Sequence, residues 1–328
     1  MVTHQITSVN GIRLHYVSAG SGKLIVFLHG HPDFWYLWKD QLSHFARSHH
    51  VIAPDLRGYN LSDKPREVAG YRIPVVVEDI RSLADHLGLS TFTLVGHDWG
   101  AITAWEFAAR YPEYLERLIT ISTCPLDLVR SSVRDPLQRS HWTYQLMLTS
   151  PQAEQILTAG NYYLYNRTVF GEFAQVPAGY FSEADRQAYH EAWSQPGVIR
   201  GSVNYYRAAH LLDYFTEADR QAFLDTWIQS DRTIAGERFY QGLRPVDVWG
   251  EIRPLSADDL HDDASGTRIE VPTLFITGER EEFGISDTMW FQERVPHGVY
   301  RPVADAGHRI IHERSEVLTA YIEEFLAR

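Results

Sequence analysis

The length, composition and charge of the chain already exclude several classes of protein. With 328 residues, it is roughly twice as long as an ordinary domain, so we expect one large α/β unit or a core with a smaller second domain. Apolar residues make up 44% and charged residues 22% of the chain, a globular composition that excludes a chain disordered throughout. The formal net charge is −12 and no basic run exceeds two residues, which argues against nucleic acid as a partner.

Cysteine content and the N-terminal segment point to a reducing compartment. Cys124 is the single cysteine, so no disulfide forms within the chain and a cysteine-based zinc site lacks its ligands. The 16 histidines show no His-Glu-x-x-His spacing, and no metal or other cofactor is indicated. Residues 1–20 lack signal-peptide features, and no apolar run spans a bilayer. We therefore expect a soluble, cytoplasmic protein without a membrane partner. The sequence leaves the oligomeric state open, with a homodimer as one alternative.

Short apolar runs rich in β-forming residues predict strands along both ends of the chain. These runs occupy residues 24–28, 51–53, 92–95, 118–122, 273–277 and 299–303. Apolar residues at helical spacing occur at 78–87, 101–110 and 314–327. This alternation of strands and helices predicts a doubly wound, mostly parallel sheet.

The middle of the chain has a different pattern. Residues 126–255 are rich in Trp and Tyr, with helix-like segments and no clear strand, so we expect a helical cap here between two parts of the core, 1–125 and 256–328. The cap contains a partial repeat, in which FSEADRQAY at 181–189 recurs 34 positions later as FTEADRQAF, within the copies 181–209 and 215–243. Since a solenoid needs about three or more units, we interpret the repeat as an enlarged lid.

The segment after the strand at 92–95 predicts a nucleophile. It reads Gly96-His-Asp98-Trp-Gly100 and leads into a helical pattern, which is the strand, sharp turn and helix of a nucleophile elbow. A structural turn is the alternative interpretation. A carboxylate at this position attacks an sp³ carbon that carries a leaving group and becomes an alkyl ester. Water must then attack that ester at the Asp98 carbonyl carbon, and this step needs a general base and an oxyanion hole.

The base is predicted at His308, between the strand at 299–303 and the last helix. It follows the nucleophile in the chain order nucleophile, acid, histidine. We expect Glu281, after the strand at 273–277, to orient the His308 imidazole and stabilise its charged form. Three other carboxylates stay open as alternatives for the acid: Glu279, Glu282 and Asp127.

Backbone N–H groups are predicted to form the oxyanion hole. One comes from His31 in the loop His29-Gly-His-Pro32, and the other from Trp99, directly after Asp98. For the His31 side chain we favour no role of its own. Trp35 and Trp99 are candidates for lining a substrate pocket, although aromatic residues near the loop are as often part of a core.

With Asp98, the 29–32 loop, the segment APDLRGYNLSD at 53–63 and the AGH ending at His308, the chain resembles the epoxide hydrolases of the α/β-hydrolase superfamily. The resemblance covers roughly residues 12–122 and 271–327. It implies an α/β-hydrolase fold with a helical cap inserted after strand 6, and hydrolysis of a small apolar epoxide to a vicinal diol without a cofactor. The family acid is commonly Asp, whereas this chain has Glu281.

The resemblance also implies two tyrosines of the cap that bind the epoxide oxygen. They correspond to Tyr144 in YQLMLTSP and Tyr206 in NYYR. A phenol with a pKa of about 10 can donate a proton to a developing alkoxide without being ionised at neutral pH. Tyr240 occupies the position equivalent to Tyr206 in the second copy of the repeat, but it lacks the flanking Asn and Arg.

Two other functions remain open at this stage. Haloalkane dehalogenases also use an Asp followed by Trp, but many carry Asn where this chain has His31. A non-catalytic binding protein with the same fold is the other alternative. It would retain ligand binding after Asp98→Ala, whereas an enzyme would lose turnover.

Overall fold

A computed structural model describes most of the chain. The described residues are 2–171, 176–229, 239, 243–249, 264, 266–281 and 289–328. Tyr240, Glu282 and the predicted cap boundary at 255/256 lie outside them.

One eight-stranded sheet lies at the centre of the described residues. Its strands are β1 (Thr3–Val9), β2 (Ile12–Gly20), β3 (Leu24–Leu28), β4 (His50–Pro54), β5 (Phe92–His97), β6 (Leu115–Ile121), β7 (Thr273–Gly278) and β8 (Gly298–Val303). Their order across the sheet is β1-β2-β4-β3-β5-β6-β7-β8. The pairs β1/β2 and β2/β4 are antiparallel, and the other neighbouring pairs are parallel. The predicted mostly parallel sheet is confirmed.

The strands predicted from apolar runs are β3 to β8, whereas β1 and β2 were missed. The first four residues of β1 are exposed and only Thr7 and Val9 are buried, because β1 is an edge strand with β2 as its neighbour. Such a strand lacks the continuous apolar run on which the prediction depended. A usable signal was the dipeptide Asn10-Gly11 between the strands, a common sequence of tight hairpin turns.

Helices cover the sheet on both faces. Those next to the strands in the two outer parts of the chain are α1 (Lys39–Phe45), α2 (Ile73–His86), α3 (Trp99–Arg110), α11 (Met289–Arg294), α12 (Ile310–Glu313) and α13 (Ser315–Leu326). Strand β3 shows the double burial directly. Leu24, Val26 and Leu28 belong to one apolar cluster, and Ile25 and Phe27 belong to another. A parallel strand buried on both faces has this composition.

Between β6 and β7 the described chain is helical. Its helices are α4 (Leu126–Arg134), α5 (Tyr144–Thr149), α6 (Ala153–Phe170), α7 (Glu183–Trp193), α8 (Val198–Ala208), α9 (Glu217–Gln229) and α10 (Pro245–Trp249). None of the helices in the described ranges is long and apolar enough to cross a membrane.

The repeated sequence forms two similarly capped helices, α7 and α9. Ser182 and Asp185 exchange hydrogen bonds as a capping box before α7, and Thr216 and Asp219 do so before α9. The surroundings of the two helices differ. Asp185 pairs with Lys39 at the start of α1, whereas Asp219 pairs with Arg139, which lies between α4 and α5.

Candidate active site

Asp98 lies on the sharp turn between β5 and α3. Its backbone has φ 54° and ψ −121°, a conformation that is rare for a residue with a side chain and costs about 1–3 kcal/mol. The turn is crowded on both sides. A Cβ on Gly100 would lie 2.2 Å from the Leu28 carbonyl oxygen, and a Cβ on Gly30 would lie 2.2 Å from Asp98 Oδ1. Glycine at both positions therefore allows the loop after β3 and the start of α3 to approach the Asp98 carboxylate.

One oxygen of Asp98 is held by the loop after β3. The His31 backbone N–H donates to Asp98 Oδ1 at 2.7 Å. The second predicted donor is the backbone N–H of Trp99, the first residue of α3. The N–H groups of the first turn of a helix have no acceptor within the helix. Enclosure of the carboxylate raises the pKa of Asp98, but the interaction with His308 and the His31 N–H outweigh it and leave the pKa lowered. Asp98 is therefore ionised at neutral pH.

His308 lies between two carboxylates. Its Nε2 is 3.5 Å from Asp98 Oδ2, and its Nδ1 is 3.1 Å from each oxygen of Glu281. Burial lowers the pKa of His308, but the charge of Glu281 and the interaction with Asp98 outweigh it and raise the pKa to about 10. The imidazole is thus a cation while Asp98 carries its charge.

Among the described candidates for the acid, only Glu281 reaches His308. Asp127 lies on α4, where it forms an ion pair with Arg294 at 2.7 Å. Glu279 ends in an exposed side chain directly after β7. Glu281 comes two residues later, and its side chain is 5% exposed beside the imidazole.

Two residues that the sequence analysis did not single out form hydrogen bonds to the backbone of His308. His97 Nε2–H donates to the His308 carbonyl oxygen at 2.9 Å, and the Ser122 hydroxyl donates to it at 3.1 Å. His97 is the last residue of β5, and Ser122 directly follows β6. The carboxyl edge of the parallel strands therefore carries both Asp98 and the residues that hold the His308 backbone.

Tyr144 and Tyr206 come together above this edge from different helices. Tyr144 begins α5 and Tyr206 lies in α8, with ring centroids 6.3 Å apart at 84°. The Tyr206 ring also packs edge-on against Trp99, at 5.1 Å. Burial raises the pKa of each phenol, and the charge of Asp98 raises it further. Both tyrosines are therefore protonated at neutral pH and within electrostatic reach of Asp98.

A third tyrosine, Tyr165, was missed by the sequence analysis. Its ring lies 5.3 Å from the His31 ring, at the same centroid distance as the Tyr206 ring. Burial lowers the pKa of His31 to about 4, so its side chain is neutral between the two phenols. Tyr165 lies in the aromatic segment of α6 and belongs to no recognised motif, so the packing of α6 alone brings it to the site.

Trp35 occupies a different place from the one expected. Within the described part of the chain, the aromatic and imidazole rings that the Trp35 ring contacts are those of His4, Phe34 and Tyr36. The backbone N–H of Trp35 donates to Asp55 Oδ1 at 3.0 Å. The short 3-10 turn at Trp35–Trp38 carries the indole towards β1, at the edge of the sheet. The structure therefore places Trp35 in packing at that edge and not beside Asp98, while Trp99 packs directly on Tyr206.

This arrangement resembles known proteins in both sequence and structure. The model of the α/β-hydrolase fold family matches residues 23–315. Epoxide hydrolase 3 of Mus musculus is 38% identical over 202 residues, which are 60% of this chain and 54% of the mouse protein. The chain thus spans little more than half the length of that relative. AB hydrolase superfamily protein YfhM of Bacillus subtilis (strain 168) is 40% identical over 210 residues, 62% of this chain and 72% of that protein.

A solved structure matches nearly the whole chain. The crystal structure of Bacillus megaterium epoxide hydrolase in complex with an inhibitor has 30% sequence identity and a TM-score of 0.76, and the match covers 99% of this chain and 100% of that one. With the family model, the fold and this match in agreement, the chain belongs to the α/β-hydrolase fold family and, within it, to the epoxide hydrolases.

Proposed function

We propose that the protein hydrolyses a small apolar epoxide to a vicinal diol through a covalent ester on Asp98. The observation that carries this proposal is the position of two protonated tyrosines beside an ionised Asp98. Tyr206 is buried and packs on Trp99 and His31, and the half-buried Tyr144 packs on Tyr206. An epoxide oxygen develops alkoxide charge as the ring opens, and a phenol is suited to neutralise it.

In the first step Asp98 attacks a ring carbon. Because Oδ1 accepts the His31 N–H, Oδ2 is the oxygen left to form the new bond to carbon. The C–O bond of the ring breaks, its electron pair goes to the epoxide oxygen, and Tyr144 or Tyr206 donates the proton that makes this oxygen a hydroxyl. Oδ1 then becomes the carbonyl oxygen of the ester.

Alkylation changes the state of His308. The charge of Asp98 contributes to the raised pKa of the imidazole, and the ester removes that charge. His308 is therefore ready to return a proton to the tyrosinate and become the neutral base that the next step needs.

In the second step His308 takes a proton from water as the water oxygen attacks the ester carbon. The negative charge moves to Oδ1, where the His31 N–H already donates and the Trp99 N–H is the second proposed donor. When the tetrahedral intermediate collapses, the bond from carbon to the ester oxygen breaks. The alcohol oxygen leaves with a proton from His308, and the proton that remains on the Asp98 carboxyl group then passes to His308. Asp98 is again a carboxylate and His308 is again a cation. Glu281 stabilises the imidazole in each of its cationic states.

Product analysis on a panel of epoxides and haloalkanes tests the proposal. We expect diol from epoxides, no diol after Asp98→Ala, and strongly reduced diol formation after Tyr206→Phe. Tyr71→Phe is the matched control, because it removes another buried hydroxyl, whose partner is the Pro65 carbonyl oxygen at 2.8 Å. Release of halide without diol, unchanged by Tyr206→Phe, would make the protein a dehalogenase. Ligand binding without any turnover would favour the non-catalytic alternative.

We also propose the domain division and location expected from the sequence. The run of helices from α4 to α10 between β6 and β7 supports a cap at 126–255 and a core formed by 1–125 and 256–328. Cys124 is the single cysteine of the chain, so the chain forms no internal disulfide, which supports the reducing environment of the cytoplasm.

A further inference from the structure

A buried ion pair joins the two loops that carry the proposed hydrolytic groups. Arg309 donates to Asp33 through both terminal nitrogens, at 3.0 and 2.7 Å, and the two side chains are 3% and 0% exposed. Asp33 comes two residues after His31, whose N–H binds Asp98, and Arg309 directly follows His308. The pair therefore links the loop of the oxyanion hole to the loop of the general base.

The cap is attached to the same ion pair. The Tyr189 hydroxyl in α7 donates to Asp33 Oδ1 at 2.8 Å, and the Trp193 indole N–H, four residues later, donates to the Pro32 carbonyl oxygen at 2.8 Å. Tyr189 has no exposed surface. The second copy of the repeat has Phe223 at the equivalent position, packed on Trp249. A helix of this sequence thus accepts Phe at that position, and the hydroxyl is present only in the copy that meets Asp33.

Stability alone explains this cluster poorly. Removing two charges from water costs several kcal/mol per ion, and an apolar pair of similar volume is often equally or more stable. Burial raises the pKa of Asp33, but Arg309 outweighs it and holds this pKa well below its usual range, so the pair remains charged. What a fixed, bidentate pair supplies is geometry: it sets the separation and orientation of the two loops.

We propose that Asp33, Arg309 and Tyr189 form a positioning cluster that aligns His308 with the His31 N–H for hydrolysis of the Asp98 ester, and that this alignment depends on docking of α7. The inference rests on the proposed function. Formation of the ester uses Asp98 and the cap tyrosines. Its hydrolysis requires His308 and the His31 N–H to act together at one carbon, and small errors in such an alignment cost rate steeply. Loss of the cluster should therefore slow hydrolysis more than alkylation.

The test follows formation and decay of the ester separately, by rapid quench and intact-protein mass after mixing excess enzyme with an epoxide. Tyr189→Phe removes only the hydroxyl bound to Asp33. We expect it to slow ester decay by about fivefold or more, with ester formation within about twofold of wild type.

Tyr36→Phe is the matched control. The Tyr36 hydroxyl donates to Asp185 of α7 at 2.9 Å, so this variant also removes a hydrogen bond from a tyrosine to a buried carboxylate between core and α7. It leaves the loops of His31 and His308 untouched, and we expect both rate constants within about twofold of wild type. As a second measure, Arg309→Lys keeps the charge and should slow ester decay less than Arg309→Met does.

Each outcome of this experiment either supports or overturns the positioning role of the cluster. Ester decay at the wild-type rate in Tyr189→Phe would overturn the positioning role while leaving the proposed function intact. Equal slowing in Tyr36→Phe, or equal slowing of ester formation, would show a general effect of cap docking and also overturn it. If wild type turns over epoxide without any ester, both this inference and the mechanism on Asp98 fail.

Discussion

Replacing His308 with Gln separates the two steps of the proposed reaction. Glutamine has no basic nitrogen, so it cannot take the proton from water, while Asp98 Oδ1 keeps its hydrogen bond of 2.7 Å from the His31 N–H. A positioned general base contributes about 100- to 10,000-fold to rate, equivalent to about 3–5 kcal/mol of barrier. We expect ester decay to slow by that factor and ester formation to change by less than about tenfold.

The assay is intact-protein mass under single-turnover conditions. Because the attack adds the whole epoxide without a leaving group, the protein should gain the full mass of the substrate and keep it. The double variant Asp98→Ala/His308→Gln should gain no mass. His297→Gln, an exposed histidine with a side chain 66% exposed, should behave as wild type. Normal diol production by His308→Gln, or turnover by wild type with no adduct in the variant, would refute the assignment of base and nucleophile.

Three further predictions use other parts of the site. Glu281→Gln keeps the size of the side chain but removes its charge, so the pKa of His308 should fall from about 10, as measured by NMR titration. Ester decay, measured by rapid quench, should slow by about 100-fold or more. An unchanged pKa of His308 would contradict the assignment of Glu281. The contribution of His308 to the free energy of unfolding should be complete below about pH 6.5 and lost as the pH rises towards about 10, because its pKa is higher in the folded than in the unfolded state. The difference in unfolding free energy between wild type and His308→Gln should follow this course. A difference that grows with pH would contradict the raised pKa of His308. Gly30→Ala places a Cβ 2.2 Å from Asp98 Oδ1 and should abolish ester formation, while Gly88→Ala, where a Cβ meets nothing within 4 Å, should leave the rate unchanged and cost only stability because of its positive φ.

The parallel part of the fold was predictable because strands β3 to β7 are mostly buried and therefore apolar, and the half-buried edge strand β8 also carries a short β-forming run. Strands β3 to β8 were anticipated from apolar runs, and the turn at Asp98 and the loop of His31 follow such strands directly. The same reasoning missed β1, whose outer residues are exposed. This edge strand is held largely by backbone pairing with β2 across the turn at Asn10-Gly11, and backbone hydrogen bonds leave little trace in composition.

The sequence by itself determined the kind of chemistry: a carboxylate on a strand-turn-helix segment, a histidine after the last strand and tyrosines in a cap. Backbone sterics at a turn and burial of a strand depend on a few consecutive residues, so short sequence motifs are enough to predict them. Only the tertiary structure decided which partners meet. Selection of Glu281 over Asp127, the approach of Tyr165 to His31, the displacement of Trp35 to the sheet edge and the Asp33–Arg309 pair all join segments distant in the chain. Such contacts arise from how helices and loops pack on the sheet, which no local pattern specifies.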